Sequence, residues 1–386
     1  MTTTASRASD VPRAYLDHAS SSPLRPAAVE AMLPFLREHP ADPGRLHAEG
    51  RITRVAIEDA RECVAALFGA RPREVVFTSS GTEAVNTAVW GALTRHGGGH
   101  VVTTAVEHSA VLEACSRGPS TEVTLVGVDR TGRFGAGEVL HAIRPDTALV
   151  SVQFANHEVG TVQPAAEIVA GARERGVVVH VDACAAVGHM PLDFAALGAD
   201  LCSVTGHKLG GPKGAAALLV RRGLRFPPFV VGGAQERARR GGIEDVPAIV
   251  GFGAAAGELA GDTLEQEADA ARALTGRLAK ETLAAVADVE RFGDPDACLP
   301  HLVCLGVGGV EAEPILLALD QHGVAVHSGS SCSSESLEPS PVLEAMGVDA
   351  DHSLRASVGW SSNEADIQAF LGAFPGIVER LRGLRT

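Results

Sequence analysis

Lysine is almost missing from this sequence: of 33 basic residues only Lys208, Lys213 and Lys280 are lysines, and the rest are arginine. Any chemistry that needs a primary amine has those three side chains to draw on. Positive charge is also in deficit, with 47 acidic residues against 33 basic ones and a formal net charge of -14. A surface of that sign repels phosphate backbones, so nucleic acid is not an expected partner. The seven cysteines, Cys63, Cys115, Cys184, Cys202, Cys298, Cys304 and Cys332, contain no CxxC pair, and no metal site is expected. An odd, scattered set reads as reduced thiols of a cytoplasmic protein, most of them small buried hydrophobes within apolar runs. Long hydrophobic runs are missing too. The stretch 248–260 is interrupted by glycine and falls short of a membrane span, so no membrane partner is expected. Residues 1–12 are polar and Thr/Ser-rich, without the apolar region of a secretory leader. What remains is an ordinary soluble composition, 45% hydrophobic and 21% charged over 386 residues, which excludes a disordered chain or a disulfide miniprotein. The length allows two domains.

From residue 74 to residue 220, short apolar runs alternate with helical patterns. Strands are predicted at 74–78, 100–104, 122–127, 148–153, 177–182, 201–205 and 215–220. Several are continuously apolar, as strands covered on both faces require. With helices such as 83–95, 165–175 and 192–196 between them, the pattern predicts an α/β domain with a mostly parallel seven-stranded sheet and helices on both faces. After Pro247 the texture changes. One long helix is predicted over 248–287, then strands at 301–307, 324–327 and 354–358 among helices 313–322, 341–346 and 364–381. That reads as a smaller C-terminal α+β domain. The expected division is a flexible segment 1–14, a large domain 15–258 and a small domain 259–386.

Four motifs carry chemistry. In Ser203-Val204-Thr205-Gly206-His207-Lys208, followed by a glycine-rich turn, a strand delivers a hydroxyl, an imidazole and an amine to its end. A desolvated lysine there suits attack on an aldehyde, although an exposed loop lysine has the same pattern. In Val177-Val178-Val179-His180-Val181-Asp182 an apolar strand ends in a carboxylate, 26 residues before Lys208. Carboxyl ends of parallel strands line the ligand crevice, where an aspartate can hold a pyridinium nitrogen protonated; capping a helix is the plainer alternative. Phe77-Thr78-Ser79-Ser80-Gly81-Thr82 is a strand, a small hydroxylated turn and a helix start, the layout of a phosphate cradle and of many helices that bind nothing. Glu107-His108-Ser109 places an imidazole just beyond another strand.

Together these motifs resemble the fold-type I enzymes that use pyridoxal 5'-phosphate (PLP), specifically the class V aminotransferase group and, within it, the cysteine desulfurases. The resemblance extends from Tyr15-Leu16-Asp17-His18-Ala19 through Val358-Gly359. It includes Asp42-Pro43-Gly44-Arg45-Leu46-His47 and Asn156-His157-Glu158-Val159-Gly160. The stretch His327-Ser328-Gly329-Ser330-Ser331-Cys332-Ser333-Ser334 is similar to the mobile nucleophile loop of desulfurases that serve iron–sulfur assembly. The resemblance implies that Lys208 forms the internal aldimine and moves protons at the substrate α-carbon. It implies that Asp182 pairs with the pyridine nitrogen, His108 stacks on the ring, and Gly81, Thr82, Thr205 and His207 hold the phosphate. Arg355 would take the substrate carboxylate. Cys332 would attack the substrate sulfur, keep it as a persulfide for a sulfur-acceptor protein, and leave L-alanine from L-cysteine. A cytoplasmic homodimer is also implied.

This chain departs from the family pattern at four positions. His157 and Ala185 stand where the family has the asparagine and glutamine that hydrogen-bond the phenolic oxygen of PLP. Asp42 replaces an asparagine, and Ile243 replaces a threonine that reaches the neighbouring subunit's phosphate. Selenocysteine lyase, or another class V activity (C–S lyase, aminotransferase or epimerase) with Cys332 incidental, is the alternative. A non-catalytic interaction partner that keeps the fold is a third.

Overall fold

The computed structural model describes residues 13–117, 121–328 and 339–384. The apolar runs become β1 (Val75–Thr78), β2 (Gly99–Thr104), β3 (Thr121–Val126), β4 (Thr147–Gln153), β5 (Val178–Asp182), β6 (Leu201–Thr205) and β7 (Ala216–Val220). They form a single sheet in the order β1-β7-β6-β5-β4-β2-β3. Only β7 runs against its neighbours; the other pairings are parallel. Each strand end agrees with the sequence expectation to within one residue.

Strand periodicity divides the sheet's side chains between its two faces. Phe77, Val150, Val181 and Val204 enter the main core beneath helices Ala48–Leu67 and Val246–Glu258. Alternate residues, among them Val76, Leu149 and Leu201, meet helix Gly81–His96 on the other face. That second face also buries polar groups. The Ser151 hydroxyl meets His180 Nδ1 at 2.9 Å, and His180 Nε2 meets the Ser203 hydroxyl at 2.8 Å, so each polar atom has a partner where water is excluded.

A second core is built from helices Thr263–Ala285, Ala312–Gln321 and Glu364–Gly383. They pack around the antiparallel sheet Ser353–Ser357, Leu302–Val307, Val289–Phe292. Two features correct the expectations. The helix predicted over 248–287 is broken between Glu258 and Thr263, where Gly261 adopts φ +64°, a turn that a helix interior cannot contain. Secondly, Ala14–Tyr15 forms a strand parallel to Val324–Ala325, and Ala14 and Leu16 pack in this second core rather than in the large one.

The loop after β7 is pinned from inside. Glu236 is buried and receives both Nη atoms of Arg61, at 2.7 and 2.6 Å, together with the backbone N–H of Phe77. Meeting them puts Glu236, Arg237 and Ala238 at φ 45°, 58° and 62°, three successive left-handed residues without a glycine. Such a conformation costs an alanine roughly 1 kcal/mol relative to glycine. Ala238→Gly is therefore expected to raise the unfolding free energy by up to about 1 kcal/mol in urea titrations; a lower urea midpoint would contradict this reading of the loop.

Candidate functional site

Because side chains alternate along a strand, Gln153, Asp182 and Thr205 share the face that carries Ser151, His180 and Ser203. Each of the three closes the carboxyl end of its strand, next to the first turn of helix Gly81–His96. A cavity of about 240 Å³ opens there. Lys208, His108, Asp182, Gly81, Thr82, Thr205, His207, His157 and Arg355, the residues singled out from sequence, all line it. Ala185 lines it as well, whereas Ile243 is 66% exposed elsewhere. Cys332 lies outside the described residues.

Helix Gly81–His96 begins at Ser80, whose side chain accepts the N–H of Glu83, and it ends on left-handed Gly97. The positive end of its dipole therefore faces the cavity. Lys208 sits in a one-turn 3-10 segment directly after β6. The N-terminal stretch clamps that turn. Ser22 donates its N–H to the His207 carbonyl and its hydroxyl to that of Lys208, and Arg25 donates to the carbonyls of Gly210 and Leu209. Arg355, 1% exposed, comes from the second core. Its Nη1 donates to the His157 carbonyl at 2.8 Å, and its Nη2 to Asp17 and Ser20 at 3.2 and 2.8 Å. Nε is left without a partner among the described residues. A carboxylate in the cavity would meet Nε, or would have to share an Nη with Ser20 or Asp17.

His108 caps helix Ser109–Ser116, with Nδ1 accepting the Ala110 N–H, which places the proton of a neutral ring on Nε2. Its ring meets that of His157 edge-on, 5.2 Å between centroids. Two polar residues of the cavity wall escaped sequence reasoning: Ser20, which anchors Arg355, and Gln153, whose Nε2 is buried and has no partner among the described residues. The signal for Gln153 was present in an amide closing the otherwise apolar run of β4. The Thr205 hydroxyl is buried without a partner among the described residues too. A helix N-terminus with a spare hydroxyl suits a phosphate, Asp182 suits a pyridine nitrogen, and Lys208 suits an aldehyde. The residues present fit PLP.

Comparison with known proteins gives a consistent picture. The family described as "Aminotransferase class-V" matches residues 14–370. The cysteine desulfurase of Trichormus azollae is 42% identical over 376 residues, covering 96% of this chain and 94% of that protein. The IscS-like cysteine desulfurase of Mycobacterium tuberculosis is 43% identical over 383 residues, 96% of this chain and 97% of that one. Among solved structures, a NifS-like protein superposes with a TM-score of 0.88 at 29% identity, covering 96% of this chain and all of its own.

Burial around the cavity shifts proton affinities in two directions. Burial lowers His18 and His180 to about 4 and His189 to about 3, keeping these rings neutral in the fold. Burial raises Glu107 to about 8, so this carboxyl holds its proton at neutral pH while accepting from Thr104 and the Gln153 N–H. The imidazoles bind protons in the unfolded chain below about 6.5, and their contribution is lost as pH falls from there towards about 4. Glu107 acts oppositely, because from about 4.5 to about 8 the folded chain binds the extra proton. Urea unfolding is expected to show lower stability at pH 5.5 than at pH 7.5. Glu107→Gln should be more stable than wild type at pH 8, with the advantage shrinking towards pH 5. An advantage independent of pH would mean that Glu107 is ionised in the fold.

Proposed function

The chain belongs to the class-V aminotransferase family, and from that premise we propose that its 240 Å³ cavity binds PLP and runs the sulfur chemistry of a cysteine desulfurase. The enzyme takes sulfur from L-cysteine and releases L-alanine; relatives at 42–43% identity over almost the whole chain carry that activity in their names. The observation that carries the reading is the convergence of Lys208, Asp182, the helix start at Gly81 and Arg355 on one cavity.

PLP, when bound, supplies an electron sink for the bonds at the substrate's α-carbon. Asp182 holds a proton on the pyridine nitrogen, and the Thr205 hydroxyl and the first turn at Gly81 and Thr82 hold the phosphate. His207, lowered to about 4 chiefly by burial, contributes to that grip as a neutral donor. His108 lies against the ring and carries its proton on Nε2. Lys208 takes and returns the proton at the substrate α-carbon. Arg355 receives the carboxylate, supported by Ser20 and Asp17 of the N-terminal segment. The Cys332 sulfur attacks the substrate sulfur. The carbon–sulfur bond breaks, a sulfur–sulfur bond forms, and the protein keeps a persulfide while alanine leaves.

Three thiols elsewhere in the chain support Cys332 as the acceptor by being poor nucleophiles. Burial raises Cys115 and Cys304 to about 12, and pushes Cys184, which lines the cavity, well above the ordinary thiol value. The expected setting is a cytoplasmic homodimer that passes sulfur to an acceptor protein. Leu46, Val231 and Ile243, all strongly exposed, are the apolar surface a second copy would cover. Residues 15–258 form the proposed cofactor-binding unit, and 259–386, joined by the Ala14–Tyr15 strand, the smaller one.

Purified protein given PLP, L-cysteine and a reductant is expected to release sulfide and alanine in equal amounts; alanine without sulfide, or neither, overturns the assignment. Borohydride reduction and peptide mapping should place the pyridoxyl label on Lys208, and Lys208→Ala should abolish it; a label on Lys213 or Lys280 would move the site. Cys332→Ser should still bind cofactor and L-cysteine yet form no persulfide, whereas Cys184→Ala should keep the persulfide. Unchanged sulfide production by Cys332→Ser would favour a C–S lyase.

A further inference from the structure

Gln153 ends β4 beside Asp182, its register partner on β5, and both side chains line the cavity. The direction of its amide is fixed by a neighbour. Asn156 Oδ1 already accepts the N–H groups of Glu158 and Val159, at 2.8 and 2.9 Å. Asn156 Nδ2 must therefore be the donor that faces outward, to the Val106 carbonyl and, at 3.4 Å, to Gln153 Oε1. With its oxygen turned to Asn156, Gln153 presents Nε2 on the other side. That nitrogen is buried, in a residue 3% exposed, and has no acceptor among the described residues. A desolvated amide donor is costly to leave unmatched, so a wall that keeps one is built for an acceptor.

On the reading given above, the polar atoms of the cofactor are otherwise spoken for. Asp182 takes the ring nitrogen, and Thr205 and the helix start take the phosphate. The phenolic oxygen, two ring atoms from the nitrogen, is left to the remaining polar side chains of the lining, Gln153 and His157 among them, since Ala185 has no donor. We propose that Gln153 Nε2 donates to the phenolic oxygen of bound PLP and supplies in this chain the hydrogen bond that Ala185 cannot make. The side chain is a positioning residue for the cofactor, reached from a strand end rather than from the turn after Asp182.

A donor at that oxygen stabilises its anion and eases loss of the neighbouring imine proton, so its removal has a spectroscopic signature separate from turnover. The test uses PLP-loaded wild type, Gln153→Leu, Gln153→Met and the double variant Gln153→Leu/Ala185→Gln. The readouts are the pH midpoint of the visible band and the PLP affinity of the cofactor-free proteins. Removing the donor is expected to raise the midpoint by about one pH unit and to weaken PLP binding about tenfold. Adding Ala185→Gln should bring the midpoint back towards the wild-type value. Gln153→Met, close to glutamine in volume, carries the comparison if the leucine variant does not fold, which thermal melting of the cofactor-free protein decides. A wild type with no visible band removes the reading of the cavity itself. A wild type with the band, beside Leu and Met variants of unchanged midpoint and affinity, leaves that reading standing and overturns the role of Gln153.

Discussion

Arg355 is a guanidinium taken almost wholly out of water, and such a group is tolerated only where acceptors meet its donors. Those acceptors come from two separated parts of the chain, Asp17 and Ser20 near the start and the His157 carbonyl after β4, while the arginine itself comes from a third, the strand of the second core. Satisfying one side chain thus fixes the relative placement of both cores at the cavity. Arg25 repeats the device, pairing with both carboxylate oxygens of Glu267 while its Nε holds the carbonyl of Leu209 beside the lysine turn. Arg61 does the same for the loop after β7. A planar fork that pairs with two oxygens at once suits these buried junctions better than a lysine would, and the chain is built almost entirely with arginine.

The carboxyl-end geometry explains how four weak motifs become one site. Thr78, Gln153, Asp182 and Thr205 are each the last residue of a strand, and the groups that follow them enter the same crevice. Parity does the rest. Residues 151, 180 and 203, one step of two below, form a hydrogen-bonded layer that carries no exposed charge and supports the row above it. The buried rings and the protonated Glu107 then leave Asp182 as the carboxylate lining the cavity.

Sequence reasoning reached the central sheet because its strands are short, largely apolar runs bounded by turns, a pattern that survives without knowledge of neighbours. It found Lys208, Asp182 and His108 because each polar side chain stands at or just beyond the carboxyl end of such a strand. It did not reach the antiparallel sense of β7, since an apolar run reads the same in either direction. The interruption at 259–262 was hidden by the helical composition on both sides, and the strand Ala14–Tyr15 was too short to show a period. Gln153 was absorbed into its strand because alternation alone does not tell which end residue faces a cavity. Ser20 carries no sequence signal; only the buried guanidinium opposite gives it a role.

The clamp on the lysine turn also orders events during synthesis. Residues 14–25 leave the ribosome well before the groups that hold them, the Lys208 and Gly210 carbonyls, Val324–Ala325 and the Ser357 region. Contacts that close loops of this size form late, because the ends must be brought together before they are rewarded. The sheet can be complete while the leading segment is still waiting for its partners. The cavity therefore acquires its final wall only after the strand that carries Arg355 has been made, and a chain that stops short of that strand has no finished pocket.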